Sequence, residues 1–229
     1  MPLRTFLLKG SLMLLIPLID SIYLLLNHSN EHVYMLVTVF DKSIPFKPLF
    51  IVPYIAWFGL IFVALILFMS QDFKLYIFSI ISIILGLLIS FIIFSLFQTT
   101  VPRPEILGNN ISSQLTRFIY TVDNPFNAFP SIHVLTSCII FLGCQHTKGH
   151  FPKISLVLQG ETILVILATL FLKQHTLLDV LGGLLLGGGL FKVVNWFEGV
   201  YYYASKKLVS KELKVNQDAN EHILELNKV

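Results

Sequence analysis

Long apolar runs dominate this chain, and its polar residues gather where those runs end. Six segments read as membrane-crossing helices: 6–26, 49–70, 74–97, 130–146, 153–173 and 175–198. About 20 apolar residues, rising roughly 1.5 Å each, cover the hydrocarbon core of a bilayer. The fourth segment is the shortest and opens on Pro130-Ser131, which predicts a start inside a polar crevice. The first follows Arg4 and Lys9 in the manner of a signal peptide. No small-residue cleavage site closes it, and the apolar run continues through Ile22 to Leu26, so it reads as an uncleaved span. The predicted fold class is an all-α integral membrane protein. Six transmembrane helices form one bundle over residues 1–204, and a charged tail follows over 205–229.

Six spans put both termini on one side. With that side cytoplasmic, the inner segments hold Arg4, Lys9, Lys74, Lys148, Lys153, Lys206, Lys207, Lys211, Lys214 and Lys228. The outer ones hold only Lys42, Lys47, Arg103, Arg117 and Lys173. The excess of inner cations predicts cytoplasmic termini and a cytoplasmic tail. The 27–48 and 98–129 connections then lie outside.

Composition agrees with the membrane assignment. The chain is 55% hydrophobic and 13% charged, against about 25% charged in soluble domains. A net charge of +3 is too small and too scattered for a nucleic-acid partner. Cys138 and Cys144 lie on one apolar segment, about 9 Å apart along a helix, too far for a disulfide. Gly183 and Gly187 form a small-xxx-small pair that lets membrane helices approach closely.

Against this background a few polar residues carry chemistry. His175 and Asp179 are i and i+4 at the start of the sixth segment and share a helical face. The carboxylate there can accept a hydrogen bond from one imidazole nitrogen and leave the other free as a nucleophile or base. His133 opens the fourth segment just after Ser131. Backbone N–H groups at a helix start favour an anion, and the Ser131 hydroxyl adds a donor. Arg103 supplies a planar charged fork suited to phosphate, and Lys173 a point charge. Such parts suit phosphoryl transfer, in which one histidine attacks phosphorus and a second protonates the leaving oxygen. Two histidines and an aspartate could also hold zinc. No further strong ligand stands near them in sequence, so no metal and no cofactor is expected. Asp20, within the first span, could face the crevice and orient Lys173 or Arg103, or make a structural hydrogen bond. Asn124 and Asn127 could touch substrate, but read first as turn residues.

Arg103-Pro104, Pro130-Ser131-Ile132-His133 and His175-x-x-x-Asp179 resemble the three signature motifs of the type-2 phosphatidic acid phosphatase superfamily. That resemblance implies a six-helix lipid phosphatase or phosphotransferase. It implies His175 as nucleophile, Asp179 as its orienting partner, His133 as general acid, and Arg103 and Ser131 as phosphate ligands. Three positions depart from the pattern. Leu96 stands where the first motif begins with lysine, Ile132 where the second has glycine, and Ala168-Thr169 where the third has Ser-Arg. The string from Asp123 to His133, with Thr169 and Lys173-Gln174-His175, is similar to the inositol-phosphorylceramide-synthase-like branch, and Lys173 is the expected replacement for the lost charge.

The function expected from the resemblance is hydrolysis of a lipid phosphate or diphosphate at the outer face of the cell membrane. Its partners are the lipid substrate, of phosphatidate, phosphatidylglycerol phosphate or undecaprenyl diphosphate type, and the surrounding membrane lipids. One alternative passes the phosphoryl group to a hydroxyl acceptor. The other is a non-catalytic lipid-binding protein on the same scaffold.

Overall fold

A computed structural model describes residues 3–29, 31–147 and 151–197. The first apolar run is not one smooth helix. It comprises α1 (Leu3–Gly10), a 3₁₀ turn (Ser11–Leu14), α2 (Leu15–Asp20) and α3 (Ile22–Leu26). Pro17 has no N–H to continue the ladder. The Ser11 and Ser21 hydroxyls donate to the carbonyls of Leu8 and Leu18 at 2.8 and 2.6 Å, and such back-bonding bends helices. The run Phe6–Leu26 is still long and apolar enough to cross a membrane, and it is the least buried of its kind.

The next elements are β1 (Tyr34–Met35), α4 (Val39–Ser43), a 3₁₀ turn (Pro48–Phe50), α5 (Ile51–Gln71) and α6 (Phe73–Leu96). Asp72 alone separates the last two. It ends α5 in an extended conformation, and its carboxylate accepts from the N–H groups of Lys74 and Leu75, capping α6. After them come β2 (Thr99–Thr100), α7 (Ile111–Val122), α8 (Ile132–His146), α9 (Pro152–Phe171) and α10 (Leu177–Phe197). Among the described residues five helical stretches have the length and apolarity of membrane spans, and α8 is a shorter apolar helix. The protein is therefore a multi-pass membrane protein. Helix α8 has 15 residues, which is about 22 Å against a core of about 30 Å. It begins inside the protein, and residues 131–137 are all buried.

Unit Met1–Phe191 is compact. Its core is the meeting of α5, α6, α8 and α9 around Phe68, Ile83, Leu135, Ile139 and Val165. Trp57 Nε1 donates to Thr136 Oγ1 at 2.8 Å and ties α5 to α8. A second unit, Lys192–Val229, is described only to Phe197. The charged segment 205–229, read above as a tail, lies outside the described residues.

Two short strands add to the helical expectation. β1 and β2 pair in parallel, with Tyr34 opposite Thr99 and Met35 opposite Thr100, and Thr100 forms an antiparallel bridge with Phe126. The strands join the 27–48 connection to the 98–129 connection. Asn127 and Asn124 both bond to the chain around residues 26–27, and both also line a small cavity beside His133 and His175. Asn127 has φ 59°; its Nδ2 donates to the Leu26 carbonyl at 2.9 Å, and its Oδ1 accepts from Gln98 at 3.0 Å. Asn124 donates to the Asn27 carbonyl at 2.8 Å. The 98–129 connection also contains α7, capped by Asn110. One face of α7, with Ile111, Phe118 and Val122, is exposed and apolar.

Helix α10 lies against the start of α8 because two glycines permit it. A Cβ on Gly183 would stand 2.6 Å from the Ser131 carbonyl oxygen, and one on Gly187 would stand 2.6 Å from that of Leu135. Backbone cannot move aside as a side chain can. Gly187→Ala is expected to destabilise the protein by about 1–3 kcal/mol, read as a lower melting temperature in detergent. Gly189, whose Cβ would meet nothing within 4 Å, should tolerate alanine or gain from its helix propensity. Equal melting of the two variants would refute the close approach.

Candidate active site

The turn between α9 and α10 presents His175. Lys173 reverses the chain with φ 52°. The Thr169 carbonyl then accepts both the Gln174 N–H at 2.9 Å and the His175 N–H at 3.1 Å. Thr176 and Asp179 cap α10 reciprocally: the Asp179 carboxylate accepts the Thr176 N–H at 2.6 Å, and the Asp179 N–H donates to the Thr176 hydroxyl at 3.3 Å. The Asp179 backbone carbonyl also accepts the Ser131 N–H at 3.1 Å, which joins the starts of α8 and α10.

Spacing predicts a His175–Asp179 hydrogen bond, but the structure assigns that bond to another partner. His175 Nδ1 lies 3.0 Å from the Ala128 carbonyl oxygen and 3.8 Å from Asp179 Oδ2. A carbonyl only accepts, so Nδ1 carries the proton and Nε2 keeps its lone pair. The Asp179 carboxylate stands behind this arrangement as a nearby charge. Thr99 holds the Ala128 segment in place: its carbonyl accepts the Ala128 N–H at 3.5 Å, and its hydroxyl accepts the Phe129 N–H at 2.7 Å. The Phe129–Pro130 peptide that follows is cis.

His133 sits in the first turn of α8, two residues after its cap. Its ring lies against Tyr54 and Trp57 of α5, with centroids 4.7 and 4.3 Å away, and 5.7 Å from the ring of His175. Arg103 is fixed by Nη1 bonds to the carbonyls of Tyr120 (3.2 Å) and Asp123 (2.7 Å), by an Nη2 bond to Gln174 Oε1, and by the Tyr120 ring 4.3 Å below it. Arg103, His133 and His175 line one small cavity together with Asp123 and Gln174.

Two other expected groups lie differently. The Ser131 hydroxyl caps α8 by accepting the Val134 N–H at 3.3 Å, and the residue is fully buried. Ser131 does not line the cavity that holds the histidines. The Lys173 ammonium donates to the Asp41 carbonyl at 2.8 Å. Lys173 lines a second cavity, of about 430 Å³, with Asp41, Lys42, Arg103 and His175. Asp20 lines neither. It faces a third cavity of about 440 Å³, walled mostly by apolar side chains, that reaches His133, Tyr54 and Trp57. The histidine pair thus has an apolar cavity on the His133 side and, on the His175 side, a more polar one edged by Asp41, Lys42, Arg103 and Lys173. Among the described residues no three His, Cys, Asp or Glu side chains come together as a metal site.

Sequence reasoning passed over Asp41, Asp123 and Gln174. Asp41 had a legible signal, since Thr38-x-x-Asp41 is a capping pattern. Its carboxylate accepts from the Thr38 N–H at 2.7 Å and from the Leu177 N–H of α10 at 2.8 Å. Burial pushes this carboxyl up, but the bonds from Thr38 and Leu177 and the nearby Lys173 ammonium together bring it below its ordinary 3.8. Burial raises Asp123, against the Tyr23 hydrogen bond and the Arg103 charge. Burial also lifts the Tyr120 phenol to about 12.

A depressed carboxyl stabilises the fold above its unfolded value, and that stability is lost as pH falls through the folded value. Asp41→Asn should therefore cost about 1–2 kcal/mol near neutral pH. The gap to wild type should close as the pH is taken down below 3.8. Melting curves across a pH series check this, and a gap that widens on acidification would contradict it.

No curated protein matches the chain, and no solved structure does. Residues 75–201, more than half of the chain, match the family model of the PAP2 superfamily, whose members are generally phosphatases. The match takes in His133, His175, Asp179 and Arg103, and by it the chain belongs to the PAP2 superfamily.

Proposed function

We propose that this protein is a membrane-embedded lipid phosphatase that hydrolyses a lipid phosphate or diphosphate through a phosphohistidine intermediate. The observation that carries the reading is the histidine pair, with rings 5.7 Å apart, set between an apolar and a polar cavity beside Arg103. In the first step the Nε2 lone pair of His175 forms a bond to phosphorus. The bond from phosphorus to the lipid oxygen breaks, and His133 gives that oxygen a proton. In the second step water attacks phosphorus, His133 takes its proton, and the N–P bond breaks to free phosphate. Asp179 steadies the cation that His175 becomes. Arg103 holds the equatorial oxygens, Ser131 orders the helix start that faces them, and Lys173 adds positive charge from the polar cavity. The apolar cavity suits the lipid tail, because it ends at the residue that would protonate the lipid oxygen.

The membrane frame of the proposal has six spans, with α8 as the short fourth. Both termini and the 205–229 tail are cytoplasmic, and the site faces the extracytoplasmic side of the cell membrane. The cation distribution supports this orientation. A second reading, transfer of the phosphoryl group to a lipid hydroxyl, is favoured by the apolar walls beside His133. They shelter the position from which an acceptor would approach.

The deciding experiment is a panel of lipid phosphates and diphosphates incubated with the purified full chain in detergent. Free phosphate is measured with and without an added lipid alcohol. Release that vanadate inhibits is expected, with His175→Ala losing essentially all of it. Full release by His175→Ala would remove the nucleophile from this scheme. Phosphate that appears only on the added alcohol would establish transfer instead. Asp179→Asn should lower kcat by more than it raises KM, because the carboxylate acts on the charge developing at His175 and not on phosphate contacts. A loss confined to KM would argue against that role.

A further inference from the structure

Gln174 follows the reversal at Lys173 and is only 6% exposed. Its carboxamide orientation is fixed by chemistry. A guanidinium only donates, so the atom that meets Arg103 Nη2 is the oxygen, and the amide nitrogen points the other way. That nitrogen is buried and finds no acceptor among the described residues, and the same holds for Arg103 Nε. Both residues line the small cavity that also contains His133 and His175. Buried N–H groups are ordinarily paired. Two such donors beside a histidine pair suit the oxygen atoms of a ligand.

We propose that Gln174 is a phosphate-holding residue. Its Nε2–H donates to an oxygen of the phosphoryl group that lies between His133 and His175, alongside Arg103 Nε–H. This rests on reading that cavity as the phosphate site. Thr169 occupies the position at which the resembling motif carries an arginine, and the Thr169 carbonyl anchors the Gln174 N–H at 2.9 Å. The residue that takes over at the phosphate is therefore a neutral carboxamide. The Lys173 ammonium is engaged with the Asp41 carbonyl and lines the neighbouring polar cavity. One permanent cation, Arg103, then serves the phosphoryl oxygens directly, and Gln174 adds a donor without adding charge.

A double-mutant cycle separates this role from mere support of Arg103. Gln174→Leu removes both the oxygen that Arg103 meets and the N–H donor, and Arg103→Ala removes the residue that Gln174 would support. If Gln174 only positioned Arg103, Gln174→Leu would cost nothing further in the Arg103→Ala background. The expected result is that Gln174→Leu lowers kcat/KM on the order of 10²-fold and weakens vanadate inhibition in both backgrounds, while melting in detergent shows the full chains folded. Folded proteins in which Gln174→Leu changes neither turnover nor vanadate inhibition beside Arg103→Ala overturn the proposal and leave the phosphatase reading intact. A wild-type protein that neither turns over any lipid phosphate nor binds vanadate overturns that reading, and this proposal with it.

Discussion

The Asp179 carbonyl accepts the Ser131 N–H at 3.1 Å, and this bond joins the first turns of two helices that come from distant parts of the chain. His133 lies two residues beyond one end of the bond, and His175 lies four residues before the other. The same aspartate caps its own helix through Thr176 at 2.6 Å, so a shift in α10 would disturb both histidines together. Ser131 and Asp179 are both fully buried, so water competes little for these groups. Gly183 and Gly187 continue the contact along α10, where their missing side chains let it rest on the backbone of α8. The 5.7 Å separation of the rings follows from backbone contacts, which are stiffer than contacts between flexible side chains.

Much of this arrangement could be read from spacing. The apolar runs, the glycine pair and the three motifs are local patterns, and local periodicity reports them directly. The helix bounds differ from the expected ones by a few residues, as cap geometry would dictate. What spacing could not reveal is the packing of the outer connections. β1 and β2 have two residues each and leave no periodic trace. The Ala128 carbonyl reaches His175 only because Thr99, Gln98 and Asn127 hold the intervening chain. The i,i+4 relation correctly brings Asp179 near His175, yet a backbone carbonyl from 47 residues away takes the bond. Gln174 was invisible for a related reason. A glutamine next to a histidine has no meaning until Arg103, 71 residues earlier, fixes which way its amide points.

The electrostatics of the site are sparing. Arg103 is held by two backbone carbonyls and a carboxamide, and among the described residues these hydrogen bonds include no carboxylate. Its charge is therefore directed without being cancelled by a bonded carboxylate. Asp123 lies close enough to feel that charge, and its carboxylate is occupied by Tyr23 and Asn27 at 2.8 and 2.9 Å. Asp41 plays the equivalent part on the polar side. There it fixes the Leu177 N–H through its carboxylate and Lys173 through its carbonyl.

The placement of the two cavities bears on what would accept the phosphoryl group. Attacking and leaving groups at phosphorus lie roughly in line. If His175 Nε2 attacks, the leaving oxygen departs on the His133 side, where the cavity is apolar. The second step must use the same line in reverse, so the acceptor arrives from that cavity as well. Water would then reach the position only after the lipid alcohol had moved away, and any lipid hydroxyl residing there would compete with it at high effective concentration. Hydrolysis and transfer would then share every catalytic residue. The difference between them would lie in the occupancy of one apolar cavity between the first run of the chain and α5, and not in the chemistry of the histidines.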